Sequence, residues 1–385
     1  MKRVLAFLVL ALAASALLAG ACSDMPLLDE LIDDVRDNPS DPDGEAYEPS
    51  WKAVGGDAVE AGAGSSVSLA IGDGVPYVAF AQSTKVRVRK LDGDAWTAVG
   101  SADIDGVMTV TELDLAVRGA VPYVVLKPNS YEPECKYLSG TAWATVGTSS
   151  FAPTVTGTSD HSIVLTDTYA FIAFKNASTN QGLVARFDGT NWDSQVFFTN
   201  DPKAIGFAFH NGKPFASFVN GEAMDAVSVR TTSTSAWHPA GWDFLYDGGV
   251  SYFTGAYREA TSIAFSGDVP YVASMQTGTV SVARNSAANV WADAGANPVA
   301  SNGFLPRLAA GPDGTMYIAY KDNDHGAKLT VKRLVGSTWE TVGQAGFSGK
   351  VGDSLDLAVS PVDGKPYVAY VNADDSNKVQ VMAFE

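Results

Sequence analysis

The sequence predicts an all-β fold, a seven-bladed β-propeller of four-stranded blades whose last blade is closed by the N-terminal strand. Three observations predict it. Tryptophan recurs at 51, 96, 143, 192, 237, 291 and 339, at intervals of 45, 47, 49, 45, 54 and 48 residues, and a fixed period of that size marks an array of supersecondary units. Each unit holds four segments of five to seven residues rich in Val, Ile, Tyr and Phe and bounded by Gly, Asp and Pro, which is the strand content of a propeller blade. The chain also ends on KVQVMAFE, a third strand with no fourth after it, and the repeats begin at WKAVG, a fourth strand with no third before it. Pairing these two segments closes the ring and satisfies strand edges that would otherwise template aggregation.

The segments before the repeat read differently. Lys2 and Arg3 precede the apolar run VLAFLVLALAASALLAGA, the charge-then-apolar order of a secretory signal peptide. A membrane span competes for so apolar a run, but the small residues Ala19, Gly20 and Ala21 crowd its end and favour cleavage. LAGAC, ending at Cys22, resembles a bacterial lipobox, with Ala19 at the place usually held by Leu. The resemblance implies residues 1–21 as a lipoprotein-type signal peptide and Cys22 as the acylated first mature residue. Ala19-Gly20-Ala21 equally satisfies the A-x-A rule of ordinary secretion, which would leave the protein secreted. If Cys22 carries lipid, Cys135 has no partner for a disulfide.

Residues 22–50 read as an acidic tether. Positions 23–50 hold ten acidic side chains against the single Arg36 and end in DNPSDPDGEAYEPS, a composition that stays solvated and extended. Leu27, Leu28, Leu31, Ile32 and Val35 fall at helical spacing within it, and Asn38-Pro39 would stop such a helix. The acidic run lacks the spacing and terminal glutamate of a known calcium loop.

Residues 51–385 carry the propeller. Each good unit opens on W-x-x-V-G (WKAVG, WTAVG, WATVG, WETVG). An apolar inner strand such as VSLAI or LDLAV follows, then a proline-led strand such as VPYVAF or KPYVAY, then an alternating strand such as KVRVRKL, and a turn such as LDGDA. This pattern resembles a bacterial family of extracytoplasmic repeat lipoproteins marked by DG-x-x-W-x-x-VG and LAV-x-x-x-G-x-PYVAY, with looser likeness to kelch and sialidase-type propellers. The likeness is weakest where Trp192 is followed by DSQVF and Trp237 by HPAGW, so blade edges between 192 and 290 stay open. The tryptophans and Tyr77, Tyr123, Tyr271 and Tyr367 are expected as packing pieces between blades rather than sugar platforms.

Composition excludes several function classes. A formal charge of −17 repels nucleic acid and anionic membrane surfaces, so any membrane association is through lipid. Two cysteines exclude a disulfide scaffold. Four histidines, no G-x-S-x-G, no phosphate-cradling loop and no zinc spacing give no support for a hydrolase, a cofactor or a metal. A sialidase-like enzyme needs clustered arginines, yet Arg87, Arg89, Arg186, Arg230, Arg284 and Arg333 fall in third strands toward the rim. The expectation is therefore no enzyme activity and no cofactor.

Candidate ligand residues fall in two groups. Glu112, Asp114, His161, Arg258, Glu259, Arg307 and Asp356 lie just before or within inner strands, where they would form a mixed-charge mouth to the central channel. Glu112 with Glu259 is the carboxylate pair a glycoside hydrolase reading would use. Asp322, Asp324 and His325 lie in KDNDHGAK, the loop densest in potential ligands. The loops on that face are polar and unequal, as surfaces that contact partners are. Together these point to a lipid-anchored envelope propeller in the outer membrane that acts as a protein-interaction platform. A glycan-binding, lectin-like propeller is the alternative.

Overall fold

In the computed structural model each repeat folds as one antiparallel sheet. The structure describes residues 48–104, 110–128, 132–147, 150–152, 158–220, 226–232, 244–245, 260–287 and 290–385. The signal segment, Cys22, most of the acidic tether, Arg258 and Glu259 lie outside them. All the described strands belong to the unit Ser50–Glu385.

The first strand, β1 (Trp51–Ala53), stands apart in sequence from the blade it joins. Blade 1 is β2 (Ser65–Gly72), β3 (Val75–Gln82), β4 (Lys85–Asp92) and β5 (Ala95–Ala98). Blade 2 is β6 (Val110–Arg118), β7 (Val121–Pro128), β8 (Glu134–Ser139) and β9 (Ala142–Thr145). Blade 3 is β10 (Thr158–Leu165), β11 (Ala170–Asn176), β12 (Gln181–Phe187) and β13 (Trp192–Phe198). Blade 4 is β14 (Pro202–His210), β15 (Lys213–Asn220), β16 (Ala226–Thr232) and β17 (Phe244–Leu245). Blade 5 is β18 (Ala260–Ser266), β19 (Val269–Gln276), β20 (Thr279–Ala287) and β21 (Val290–Asp293). Blade 6 is β22 (Gly303–Ala310), β23 (Met316–Asp322), β24 (Lys328–Val335) and β25 (Thr338–Thr341). Blade 7 is β26 (Val351–Val359), β27 (Pro366–Asn372) and β28 (Lys378–Phe384), completed by β1.

That completion is the closure expected from the sequence. Trp51 pairs with Phe384 and Ala53 with Met382, so the strand at the start of the repeats covers the edge of the strand at the end. The inner strands β2, β6, β10, β14, β18, β22 and β26 each touch the next, and β26 touches β2, which closes the ring.

Apolar surface is buried between blades. Seven hydrophobic clusters occur among the described residues, one at each of the seven blade interfaces. They are built from second and third strands such as VPYVAF and KVRVR, whose apolar residues face neighbours on both sides, so these strands read as near-continuous apolar runs. Cys135 sits in the cluster between blades 2 and 3, buried, with a free thiol.

The W-x-x-V-G signature is an inter-blade latch. The Trp96 indole N–H donates to the carbonyl of Val54, Trp192 to Val146, Trp339 to Ala294 and Trp51 to Val342, at 2.7–2.8 Å. Each acceptor lies three residues after the tryptophan of the preceding blade. The glycine that follows it has to be glycine: Gly55 has φ +71, and a Cβ there would lie 2.5 Å from the Trp96 ring. The described tryptophans thus pack between blades, as expected, while Trp237 lies outside the described residues.

Candidate functional site

Aligning the inner strands by register puts one residue of each blade at the same level of the channel: Ser68, Asp114, Ser162, Gly206, Ser262, Arg307 and Asp356. Each pairs with the matching residue of the second strand, Ala79, Val125, Ala173, Ser217, Ala273, Ala319 and Ala369. Four of these side chains staple their blade to the next by accepting a backbone N–H. Leu69 donates to Asp356 Oδ2 (2.8 Å), Leu115 to Ser68 Oγ (3.1 Å), Ile163 to Asp114 Oδ2 (2.8 Å) and Leu308 to Ser262 Oγ (3.0 Å). At blade 4 the ring residue is Gly206, and Ser217 Oγ fills the place a Cβ would take, 2.6 Å from it. The Ser217 hydroxyl bonds Thr261 of blade 5 instead.

The staples give Asp114 and Asp356 a structural duty. Ser68 Oγ stands 2.9 Å from Asp114 Oδ1 and 3.2 Å from Asp356 Oδ2, between two carboxylates contributed by the blades on either side. Burial, and after it the Asp356 charge, pushes the Asp114 carboxyl up to about 6. Burial also raises Asp356, although Arg307 opposes it.

Arg307 has no staple to make. Its Nη1 donates to the neighbouring Pro306 carbonyl at 3.1 Å, and its Nε lies 3.9 Å from Asp356 Oδ1. The backbone N–H that a blade 6 staple would satisfy, Leu357 N–H, is taken by Asp356 itself at 2.9 Å. The Arg307 side chain is 38 % exposed, which leaves it open to a ligand.

Above the ring, the strand entrances are bulged. Ser66, Asp160, Ala204 and Leu305, each two residues before the ring position, have φ between +47 and +56. The strand pairing shifts register at each of them. Left-handed backbone at four non-glycine residues costs about 1 kcal/mol or more apiece, and such strain gathers where backbone is aimed at a ligand. Asp160 Oδ1 accepts the Ala204 N–H at 2.8 Å and ties two bulges together. Burial raises its carboxyl above the ordinary range.

Beside these bulges Glu112 reaches from blade 2 to His161 of blade 3. Oε2 lies 3.0 Å from Nδ1, and Nε2 lies 2.8 Å from Thr158 Oγ1. Burial pushes the Glu112 carboxyl up, but the hydrogen bond and charge of His161, Lys127 and the Asp160 backbone outweigh it and hold it below its ordinary value. Thr158, His161 and Glu112 stand in the order of a nucleophile, base and orienting acid. Thr158 is only 1 % exposed and does not line the cavity, so its hydroxyl meets no substrate.

These groups line a cavity of about 870 Å³ at the channel mouth, the volume of a pocket for a small ligand. Glu112, Asp114, His161, Arg307 and Asp356, grouped from sequence, all lie on its wall. Asp322, Asp324 and His325 do not, so the structure separates them from the mouth. They form the β23–β24 turn. Asp322 caps the short 3-10 segment Asn323–His325, accepts from the Thr330 hydroxyl at 2.7 Å and lies 2.8 Å from His325 Nδ1, while Asp324 accepts from Asn302. Their polar atoms serve the turn, because a tight turn bonds its own side chains to its own backbone. No group of three His, Cys, Asp or Glu arranged to hold a metal occurs among the described residues. At the rim, Arg87 and Arg89 pair with Glu60 and Asp103, away from the channel.

Sequence reasoning missed Asp160, Thr158 and Ser68. Setting SDHSIVL under SSVSLAI and TELDLAV would have shown Asp160-His161 immediately before a ring serine.

No family model matches the chain, and no curated protein matches it. Solved structures do. The polysaccharide lyase Uly1 is 10 % identical over 92 % of this chain and 95 % of its own, with a TM-score of 0.52. That likeness shows the fold and the fold alone. A protein of unknown function from Dyadobacter fermentans is 11 % identical over 87 % of this chain and 98 % of its own, at 0.49. The Aleuria aurantia lectin in complex with Fucα1-6GlcNAc is 12 % identical over 75 % of this chain and 97 % of its own, at 0.48. The chain is a seven-bladed β-propeller with a polar cavity at one end of its channel.

Proposed function

We propose that this propeller is a non-catalytic binding protein of the bacterial envelope, a repeat lipoprotein held in the outer membrane through Cys22, and that its channel mouth binds a glycan unit. The cavity carries the reading. Its wall combines hydroxyls, carboxylates and a guanidinium, and the hydroxyl edge of a sugar ring is the partner such a mixture of donors and acceptors suits. Carboxylates outnumber cations on the described wall, which favours neutral or amine-bearing sugars over polyanions. Arg307, free of closure duty, is the contact for a ring or hydroxyl oxygen.

A protein partner on the same face is the second reading. The unequal polar turns support it, above all the capped β23–β24 turn, whose His325 side chain is half exposed.

A glycan array probed with the full chain tests the proposal. Neutral or amine-bearing glycans are expected to bind without being cleaved, and Arg307→Ala to weaken the best of them about tenfold, the worth of one hydrogen bond to a charged group. Cleavage of a bound glycan, or binding that Arg307→Ala leaves intact, contradicts it.

A further inference from the structure

The residue immediately before each ring position points into the packing between blades. Six blades fill it with Val67, Leu113, Ile205, Thr261, Pro306 and Leu355. Blade 3 alone fills it with a titratable group, His161. The His161 side chain is 0 % exposed and packs against Phe151 and Phe174, with ring centroids 5.9 and 6.5 Å away. An aliphatic residue would fill this space without a buried polar ring to satisfy, and burying such a ring without partners costs free energy. Both ring nitrogens are nevertheless engaged, one by Thr158 and one by Glu112.

This arrangement fixes Glu112. With the Thr158 hydroxyl donating to Nε2 of a neutral ring, or accepting from Nε2–H of a charged one, Nδ1–H donates to Glu112 Oε2. The relay thus runs from a sealed threonine through a sealed histidine to a carboxylate that is 35 % exposed on the cavity wall. A glutamate otherwise has three side-chain torsions to lose on binding, and a partner that removes that freedom beforehand strengthens any contact it makes. Blade 2 supplies Glu112 and blade 6 supplies Arg307, three blades apart around a ring of seven, so the two stand across the channel from each other.

We infer that Glu112 is the specificity-determining residue of the channel mouth, accepting hydrogen bonds from two neighbouring hydroxyls of one sugar ring, and that His161 is its positioning residue. The assignment deepens the glycan reading and rests on it. A held carboxylate spans a vicinal diol because its two oxygens accept side by side, whereas a lone hydroxyl engages only one.

The test titrates the full chain with methyl glycosides of glucose, mannose, galactose and fucose, and with monodeoxy derivatives of those that bind. Glu112→Gln is expected to lose about tenfold in affinity for the parent glycoside. The deoxy derivative, already lacking one hydroxyl, loses little more in that variant. His161→Leu places at blade 3 the residue that blades 2 and 7 carry there, so it folds; it is expected to weaken the parent nearly as much as Glu112→Gln. His161→Gln keeps a donor toward Glu112 and restores most of the affinity, which a merely structural histidine would not predict. Parent binding that His161→Leu and Glu112→Gln leave unchanged overturns this assignment alone. No binding of any glycoside to the wild-type chain overturns the glycan reading and the assignment together.

Discussion

Ser68 has one hydroxyl proton and two carboxylates within reach of it, Asp114 and Asp356. At any moment one of them lacks that donor, in a place where water supplies little. Burial, and after it the Asp356 charge, outweighs the hydrogen bonds Asp114 accepts and holds its carboxyl near 6 rather than at its ordinary 3.8. The linkage has a definite sign: a carboxyl raised in the folded state favours folding when protonated. Its contribution is fully present below the unfolded value near 4 and is lost as the pH rises through about 6. Asp114→Asn keeps an acceptor for the Ile163 N–H and removes the titration. Its stability relative to wild type is therefore expected to improve between pH 4 and pH 7 by up to about 3 kcal/mol, read from urea unfolding at each pH. A difference that does not move with pH contradicts the raised Asp114 carboxyl. At this scale the sequence grouped Glu112, Asp114, His161, Arg307 and Asp356, which the structure brings to one cavity. It could not divide them into staples and free groups, because a staple is defined by a backbone N–H in the next blade, some 46 or more residues away along the chain.

The element most legible in sequence is the outer strand, since W-x-x-V-G encodes both sides of a blade contact. Its tryptophan donates to the preceding blade, and its valine and glycine receive the tryptophan of the following one. Gly55 and Gly93 separate packing from backbone strain. Both have positive φ, +71 and +60, but a Cβ at Gly55 meets the Trp96 ring while one at Gly93 meets nothing within 4 Å. Gly93→Ala is expected to cost about 1 kcal/mol for the left-handed backbone, and Gly55→Ala at least about 2 kcal/mol more for displacing the indole. Thermal unfolding of the pair reads the difference, and equal losses would refute the latch. Other elements were less legible for physical reasons. The entrance bulges at Ser66, Asp160, Ala204 and Leu305 depend on the pairing partner rather than on the residue itself, as their mixed chemistry shows. In blade 4 the outer strand is Phe244–Leu245, well past Trp237, where the repeat template had already failed.

The whole molecule joins a legible ring to a proposed address carried outside it. Closure by β1 was readable because the repeats start with one strand over and their last unit is one strand short. It brings Trp51 onto Phe347, ring centroids 4.3 Å apart, and onto Val342. The proposed lipid anchor is tested on the intact cell: Cys22→Ser is expected to move the protein from the membrane fraction to the soluble fraction, and a variant that still sediments with membranes contradicts it. An acidic charge of −17 disfavours direct binding to an anionic surface, which is why the proposal assigns the hold to lipid. The central claim concerns the channel mouth, and an experimental structure of the full chain with its highest-affinity array glycan tests it most directly. The account predicts a sugar ring in the cavity between Glu112 and Arg307, with neighbouring hydroxyls on the Glu112 carboxylate. A glycan seated between blades or on the β23–β24 turn, with the mouth unoccupied, would contradict it.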